Sequence, residues 1–128
     1  MKRAAKLDID ILFTQDLMLL DRGAIAEQFV GQELLAYQDP FDEPQLYYWS
    51  REDKSSTAEV DYVLNVDSLI TPIEVKAGKT GTLRSLHLMM KEKDLPTGVR
   101  ISTLKLQVND NILSVPFYLI SQLKRLLK

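Results

Sequence analysis

The stretch Glu59-Val-Asp-Tyr-Val-Leu-Asn-Val alternates polar and apolar residues. The turn-forming Asn65-Val-Asp-Ser then joins it to a second, largely apolar run, Leu69 to Lys76. Side chains on a strand point to opposite faces in turn, so this period suits a half-buried strand and does not suit a helix. The two runs predict a hairpin. Leu46-Tyr-Tyr-Trp-Ser, rich in aromatics and following Pro44, predicts a strand before it, with Lys54-Ser-Ser-Thr as the intervening turn. Three antiparallel strands in sequence form a meander.

Helical signals lie on either side of the meander. Gly23 to Tyr37 carries an apolar stripe of Ile25, Phe29 and Ala36, widened by Val30, Leu34 and Tyr37. Asp21 or Gly23 caps its start, and Asp39-Pro40 ends it, because the residue before proline is pushed out of the helical region. After a loop at Ala77-Gly-Lys-Thr-Gly, Leu83 to Lys93 reads as a helix with Leu86, Met89 and Met90 inward. Val99 to Leu104 predicts a fourth strand, Asn109-Asp-Asn a turn, and Ile112 to Val115 a further short strand. Pro116 suits the first turn of a final helix running through Ile120, Leu123 and Leu127. The expected class is α/β: a mixed central sheet flanked by helices. The domain is expected over residues 23–128, with 1–22 a less defined segment that would fit the remnant of a larger preceding domain; within it Ile9 to Leu20 is apolar.

A chain of 128 residues supports one core. With no Cys and a single His, it has no disulfide framework, no thiolate zinc site and no cysteine catalysis, and a Ser-His-Asp triad would depend wholly on His87. Its apolar runs are too short to span a bilayer and no signal-peptide core follows Met1, so the expected location is the cytoplasm, with no membrane partner. The net charge of −2 averages two unlike halves. Residues 1–66 carry six Lys/Arg against thirteen Asp/Glu, giving −7, and residues 67–128 carry ten against five, giving +5. That asymmetry permits a basic face for a polyanion; charges scattered over a solvated surface would give it too.

Asp61, Glu74 and Lys76 stand out within the hairpin. Glu74 and Lys76, two apart, share a strand face, and by strict alternation Asp61 shares the face of Glu59 and Val63 on the neighbouring strand. Folding the meander brings Asp61 beside Glu74. Two carboxylates converging on a largely apolar surface repel unless a cation lies between them. Hard divalent ions such as Mg²⁺ or Mn²⁺ suit such ligands, and Lys76 would orient or deprotonate the attacking water, or stabilise charge building on phosphorus. This is minimal equipment for metal-assisted phosphodiester hydrolysis. The Glu-x-Lys tripeptide alone is weak, since chance gives roughly half a match in a chain of this composition. Glu52-Asp-Lys54 matches as well, in a polar turn. Context separates the two, because Glu74 ends an apolar strand and has an aspartate in the strand before it. The alternative is a plain salt bridge of Glu74 with Lys76 or a neighbour. Glu27 lies near the direction of Val30 and Leu34 on its helix, so it either borders the buried face as a fourth member of the group or is a surface glutamate at the helix edge.

Gly23-Ala-Ile-Ala-Glu-Gln-Phe-Val-Gly-Gln-Glu-Leu, Leu46-Tyr-Tyr-Trp, Glu59-Val-Asp-Tyr-Val, Ile73-Glu-Val-Lys-Ala-Gly and Val115-Pro-Phe-Tyr-Leu-Ile occur here in that order. Together they resemble a domain of unknown function that usually lies C-terminal to the ATPase core of prokaryotic AAA-type proteins and is similar to the PD-(D/E)XK nuclease-like superfamily. The resemblance covers about residues 20–127. It implies a restriction-endonuclease-like core, related also to archaeal Holliday-junction resolvases. By position, Asp61 and Glu74 match the metal-binding acids, Lys76 the catalytic lysine and Glu27 the helix acid. Val60 stands where the superfamily's name has proline. DNA or another nucleic acid is the implied substrate. The other reading is a catalytically silent accessory module partnering an ATPase domain or protein.

Gly78-Lys79-Thr80 imitates a phosphate-binding loop, but the required glycine five residues earlier is Ile73, so no ATP site is expected. Lys79 and Thr80 read as a solvated loop or as contacts to a nucleic-acid phosphate. His87 reads as a helix-surface or core residue, and Ser102 has no partner indicated by spacing. Tyr47, Tyr48 and Trp49 are more readily core than base-stacking residues. The basic residues of the last helix complement its dipole.

Overall fold

The structure, a computed structural model, describes residues 2–3, 22–52 and 57–128. The apolar segment Ile9 to Leu20 and most of the predicted Lys54-Ser-Ser-Thr turn lie outside the described residues. The elements are β1 (Lys2–Arg3), α1 (Arg22–Ala36), β2 (Tyr47–Ser50), β3 (Glu59–Val66), β4 (Leu69–Val75), α2 (Arg84–Glu92), β5 (Gly98–Ser102), β6 (Gln107–Asn109), β7 (Ile112–Pro116), a 3₁₀ helix (Phe117–Gln122) and α3 (Leu123–Leu126).

The strands form one mixed sheet in the order β1-β2-β3-β4-β5-β7-β6, with the two-residue β1 at its edge. The meander β2-β3-β4 is antiparallel. Next, α2 carries the chain across so that β5 runs parallel to β4, and β7 runs parallel to β5. Two tight hairpins use consecutive residues at positive φ, Asp67-Ser68 between β3 and β4 and Asp110-Asn111 between β6 and β7. That backbone twist matches the twist of the strands it joins. Pro72 is tolerated in a central strand because of where its missing N–H falls. Lys76 N–H, on the same side of β4, reaches Ile101 of β5, but the β4–β5 pairing begins only at Ile73.

Two apolar clusters occupy the faces of the sheet. Val30 and Leu34 of α1 pack with Tyr62, Ile73, Val75, Val99, Ile101 and Val115, and with Ile120 and Leu123 of the C-terminal helices. Leu86 and Met89 of α2 pack with Trp49, Val60, Val63 and Ile112. The α/β class with helices flanking a mixed sheet is therefore present, and Trp49 is core.

Several local expectations need correction. The buried face of α1 is Val30, Gly31 and Leu34, whereas Ile25 and Phe29 of the predicted stripe each remain 45% exposed. Phe29 instead meets Phe117 edge-on, with ring centroids 6.2 Å apart. Pro116 does not open a helix. It is extended, pairs with Ser102 as the last residue of β7, and is followed by 3₁₀ geometry before the single α-turn of α3. The strand β6 was not expected, because Gln107-Val-Asn has no buried face and is defined only by its pairing with β7.

Candidate active site

Asp61 and Glu74 meet where the hairpin opens. The β3–β4 ladder runs from Val66↔Leu69 to Tyr62↔Ile73 and stops. There β3 carries a bulge: Tyr47 faces Val63 while Trp49 faces Val60, so three steps on β3 answer two on β2. Strict alternation fails at this point, since Val60 and Val63 pack in one cluster while Tyr62 packs in the other. Parity therefore no longer assigns Asp61 to the face of Val63. Its Oδ2 reaches across to β4 and accepts the Val75 N–H at 2.8 Å, taking over a bond the backbone ladder gives up.

One step along β4, the Glu74 side chain is only 12% exposed, and its Oε1 lies 3.4 Å from Lys76 Nζ. Its Oε2 is buried and has no hydrogen-bond partner. Burial chiefly, and then the charge of Asp61, push the Glu74 carboxyl up to about 7 against the pull of Lys76. Asp61 is also raised, by burial first; the Val75 N–H and Lys76 oppose the shift and Glu59 adds to it.

Glu27 lies one turn before Val30 and Gly31 on α1. Its residue surface is exposed, yet partial burial of the carboxyl, with Asp61 and Glu59 nearby, raises it to about 7. Its position is set by a contact that spacing did not reveal. The Tyr62 hydroxyl donates to the Glu27 carbonyl at 2.7 Å, and a Cβ on Gly31 would come within 2.5 Å of that same oxygen. Gly31 thus lets the phenol reach the helix backbone. The available signal was a glycine in mid-helix, which costs about 1 kcal/mol relative to Ala and calls for a packing reason.

Asp61, Glu74, Lys76 and Glu27 are therefore electrostatic neighbours at one end of the β3–β4 hairpin. The oxygen-only donor set and the unpartnered Glu74 Oε2 fit a hard divalent cation. Among the described residues no three His, Cys, Asp or Glu side chains form a ready-made ion cage. The other residues considered lie elsewhere. His87 is exposed on α2, Lys79 and Thr80 are exposed, and a recess lined by Val66, Leu69, Leu113, Leu126 and Leu127 sits at the opposite end of the hairpin. Ser102, fully buried, does have partners, accepting from Arg100 Nε at 3.3 Å and from Leu104 N–H at 3.2 Å. Arg100 was also missed, although a charge inside the apolar run Val99-Arg-Ile was its signal.

Among the described residues no helix is long and apolar enough to cross a membrane. No curated protein and no solved structure matches the chain. Residues 22–119 match the family described as Domain of unknown function (DUF4143), a span that holds α1, β2 to β7 and all four acidic and basic residues of the site, and the chain belongs to that family.

Proposed function

We propose that this domain is a metal-dependent phosphodiesterase acting on DNA or another nucleic acid, with a core of the PD-(D/E)XK, restriction-endonuclease-like type. The observation that carries the reading is Glu74. Its Oε2 is buried without a partner beside a second acid, Asp61, while its Oε1 meets Lys76. A carboxylate held in that state is costly unless a cation completes it. Asp61 and Glu74 would hold Mg²⁺ or Mn²⁺, with Glu27 the third acid from the helix side. A bound ion supplies Lewis-acid stabilisation of charge on the phosphoryl group. Lys76, a compact ammonium with three donors, supports that charge or orients the attacking water, and Glu27, raised to about 7, is suited to take that water's proton near neutral pH. Water adds to phosphorus, the P–O ester bond breaks, and the leaving oxygen takes up a proton.

The test is incubation of the purified chain with plasmid, linear and branched DNA in Mg²⁺ or Mn²⁺. Wild-type protein is expected to cleave, and Glu74→Ala and Lys76→Ala to abolish cleavage. Cutting that survives Glu74→Ala sinks the assignment.

The Lys76–Glu74 contact favours one other reading. If the lysine acts as the permanent counter-ion of Glu74, the domain is a silent module that keeps the nuclease fold beside an AAA-type ATPase in the cytoplasm. It would then bind no metal and cleave no nucleic acid under the same conditions.

A further inference from the structure

Arg100 is 7% exposed in the middle of β5, in register with Glu74 on β4. Its guanidinium turns to neutral oxygens. Nη2 donates to the Gly78 carbonyl at 3.3 Å and the Thr80 carbonyl at 3.2 Å, and Nε donates to Ser102 Oγ at 3.3 Å. A buried charge spent on neutral acceptors is expensive for the fold, so its return lies in what those acceptors hold. They belong to the loop that leaves β4 directly after Lys76. The sheet ladder ends at Lys76, whose N–H donates to the Ile101 carbonyl at 2.9 Å. Among the described residues no backbone–backbone hydrogen bond ties 77–82 to anything. The loop is fixed instead by the planar guanidinium of Arg100, whose Nη2 holds the two carbonyls while its Nε holds Ser102 Oγ, a spread of donors over two nitrogens that a single lysine ammonium does not reproduce.

What the loop then touches is Lys76. Gly81 has φ +111°, a conformation open to glycine, and a Cβ built there would lie 3.3 Å from Lys76 Cδ and 3.5 Å from Cε. The Gly81 backbone thus lies along the flexible methylene stem whose ammonium ends at Glu74.

We propose that Arg100 is a positioning residue for Lys76: by pinning the Gly78 and Thr80 carbonyls it seats Gly81 on the lysine stem and holds the ammonium at Glu74. Its relevance to catalysis rests on the hydrolytic reading above, whereas the contact itself is tested without any activity. In the full chain with isotope-labelled lysine, the Lys76 ε signals are identified by their loss in Lys76→Arg and followed by NMR in Arg100→Gln, Arg100→Lys and Gly81→Ala. The Lys76 signals are expected to move in all three folded variants. Arg100→Lys keeps the charge and loses only the fork, so its shift separates loop release from a change in field, and it serves alone where Arg100→Gln does not fold. In Mg²⁺-dependent cleavage, Arg100→Lys is expected to lower kcat by about tenfold with KM unchanged. Lys76 signals superimposable on wild type in folded Arg100→Lys overturn the proposal. A wild-type chain that cleaves nothing overturns the hydrolytic reading, and the NMR comparison still decides the clamp.

Discussion

Replacing Glu74 by glutamine is expected to make the metal-free protein more stable at alkaline pH while removing the feature the site is built around. The Glu74 carboxyl titrates at about 7 in the fold, against 4.5 when exposed. The folded state therefore prefers the protonated acid. The cost of ionising it is absent below pH 4.5, grows as pH rises, and is complete above about pH 7. At 1.36 kcal/mol per pH unit the full cost is about 3 kcal/mol. Glutamine removes that cost but leaves a neutral amide beside the same unsatisfied position, which gives back about 1–2 kcal/mol. The net gain at pH 8 is about 1–2 kcal/mol, or roughly 5 °C in Tm for a domain of this size. At pH 5 the wild-type carboxyl is largely protonated in the fold, so the gain disappears. Thermal unfolding of both proteins at pH 5 and pH 8, with chelator present, checks this. A variant less stable than wild type at pH 8, or equally stabilised at both pH values, refutes the account of Glu74 as a buried charge awaiting a counter-ion.

Gly31→Ala places a methyl 2.5 Å from the Tyr62 hydroxyl, so α1 must shift and its Glu27–Tyr62 bond break; a loss of roughly 1–3 kcal/mol is expected in denaturant unfolding. Asp61→Asn keeps an acceptor for the Val75 N–H and should fold as wild type does. Asp61→Ala leaves that N–H unpaired, costs about 1–3 kcal/mol, and should speed hydrogen exchange at Val75. Leu86→Ala opens a cavity beneath α2, where Leu86 is fully buried, and is expected to cost about 2–5 kcal/mol in the same unfolding assay.

The meander was legible because its signals are local: alternation in β3, turn residues at Asp67-Ser68, and the apolar run of β4. The juxtaposition of Asp61 with Glu74 followed from that register. The bulge did not, because one extra residue in β3 shows only against its partner strand β2. Without the bulge, parity assigns Asp61 to a sheet face; with it, the carboxylate reaches the edge of β4. The buried side of α1 was misread for a related reason. Val30 and Leu34 are chosen by what the sheet offers, with Tyr62 demanding a glycine at 31, and the larger Ile25 and Phe29 are left outside. Arg100 acts through carbonyls about twenty residues away, and no spacing encodes such a partner.

Asp61 and Glu74 are proposed to share one cation, and a calorimetric titration with Mn²⁺ at pH 8 tests this most directly. Wild-type protein is expected to bind at one site, and because the Glu74 and Glu27 carboxyls titrate near 7, affinity should fall and proton release on binding should grow as pH drops to 6. Glu74→Gln and Asp61→Asn are expected to abolish that binding while remaining folded. Binding that persists undiminished in Glu74→Gln, or a wild-type protein that binds no Mn²⁺, contradicts the claim.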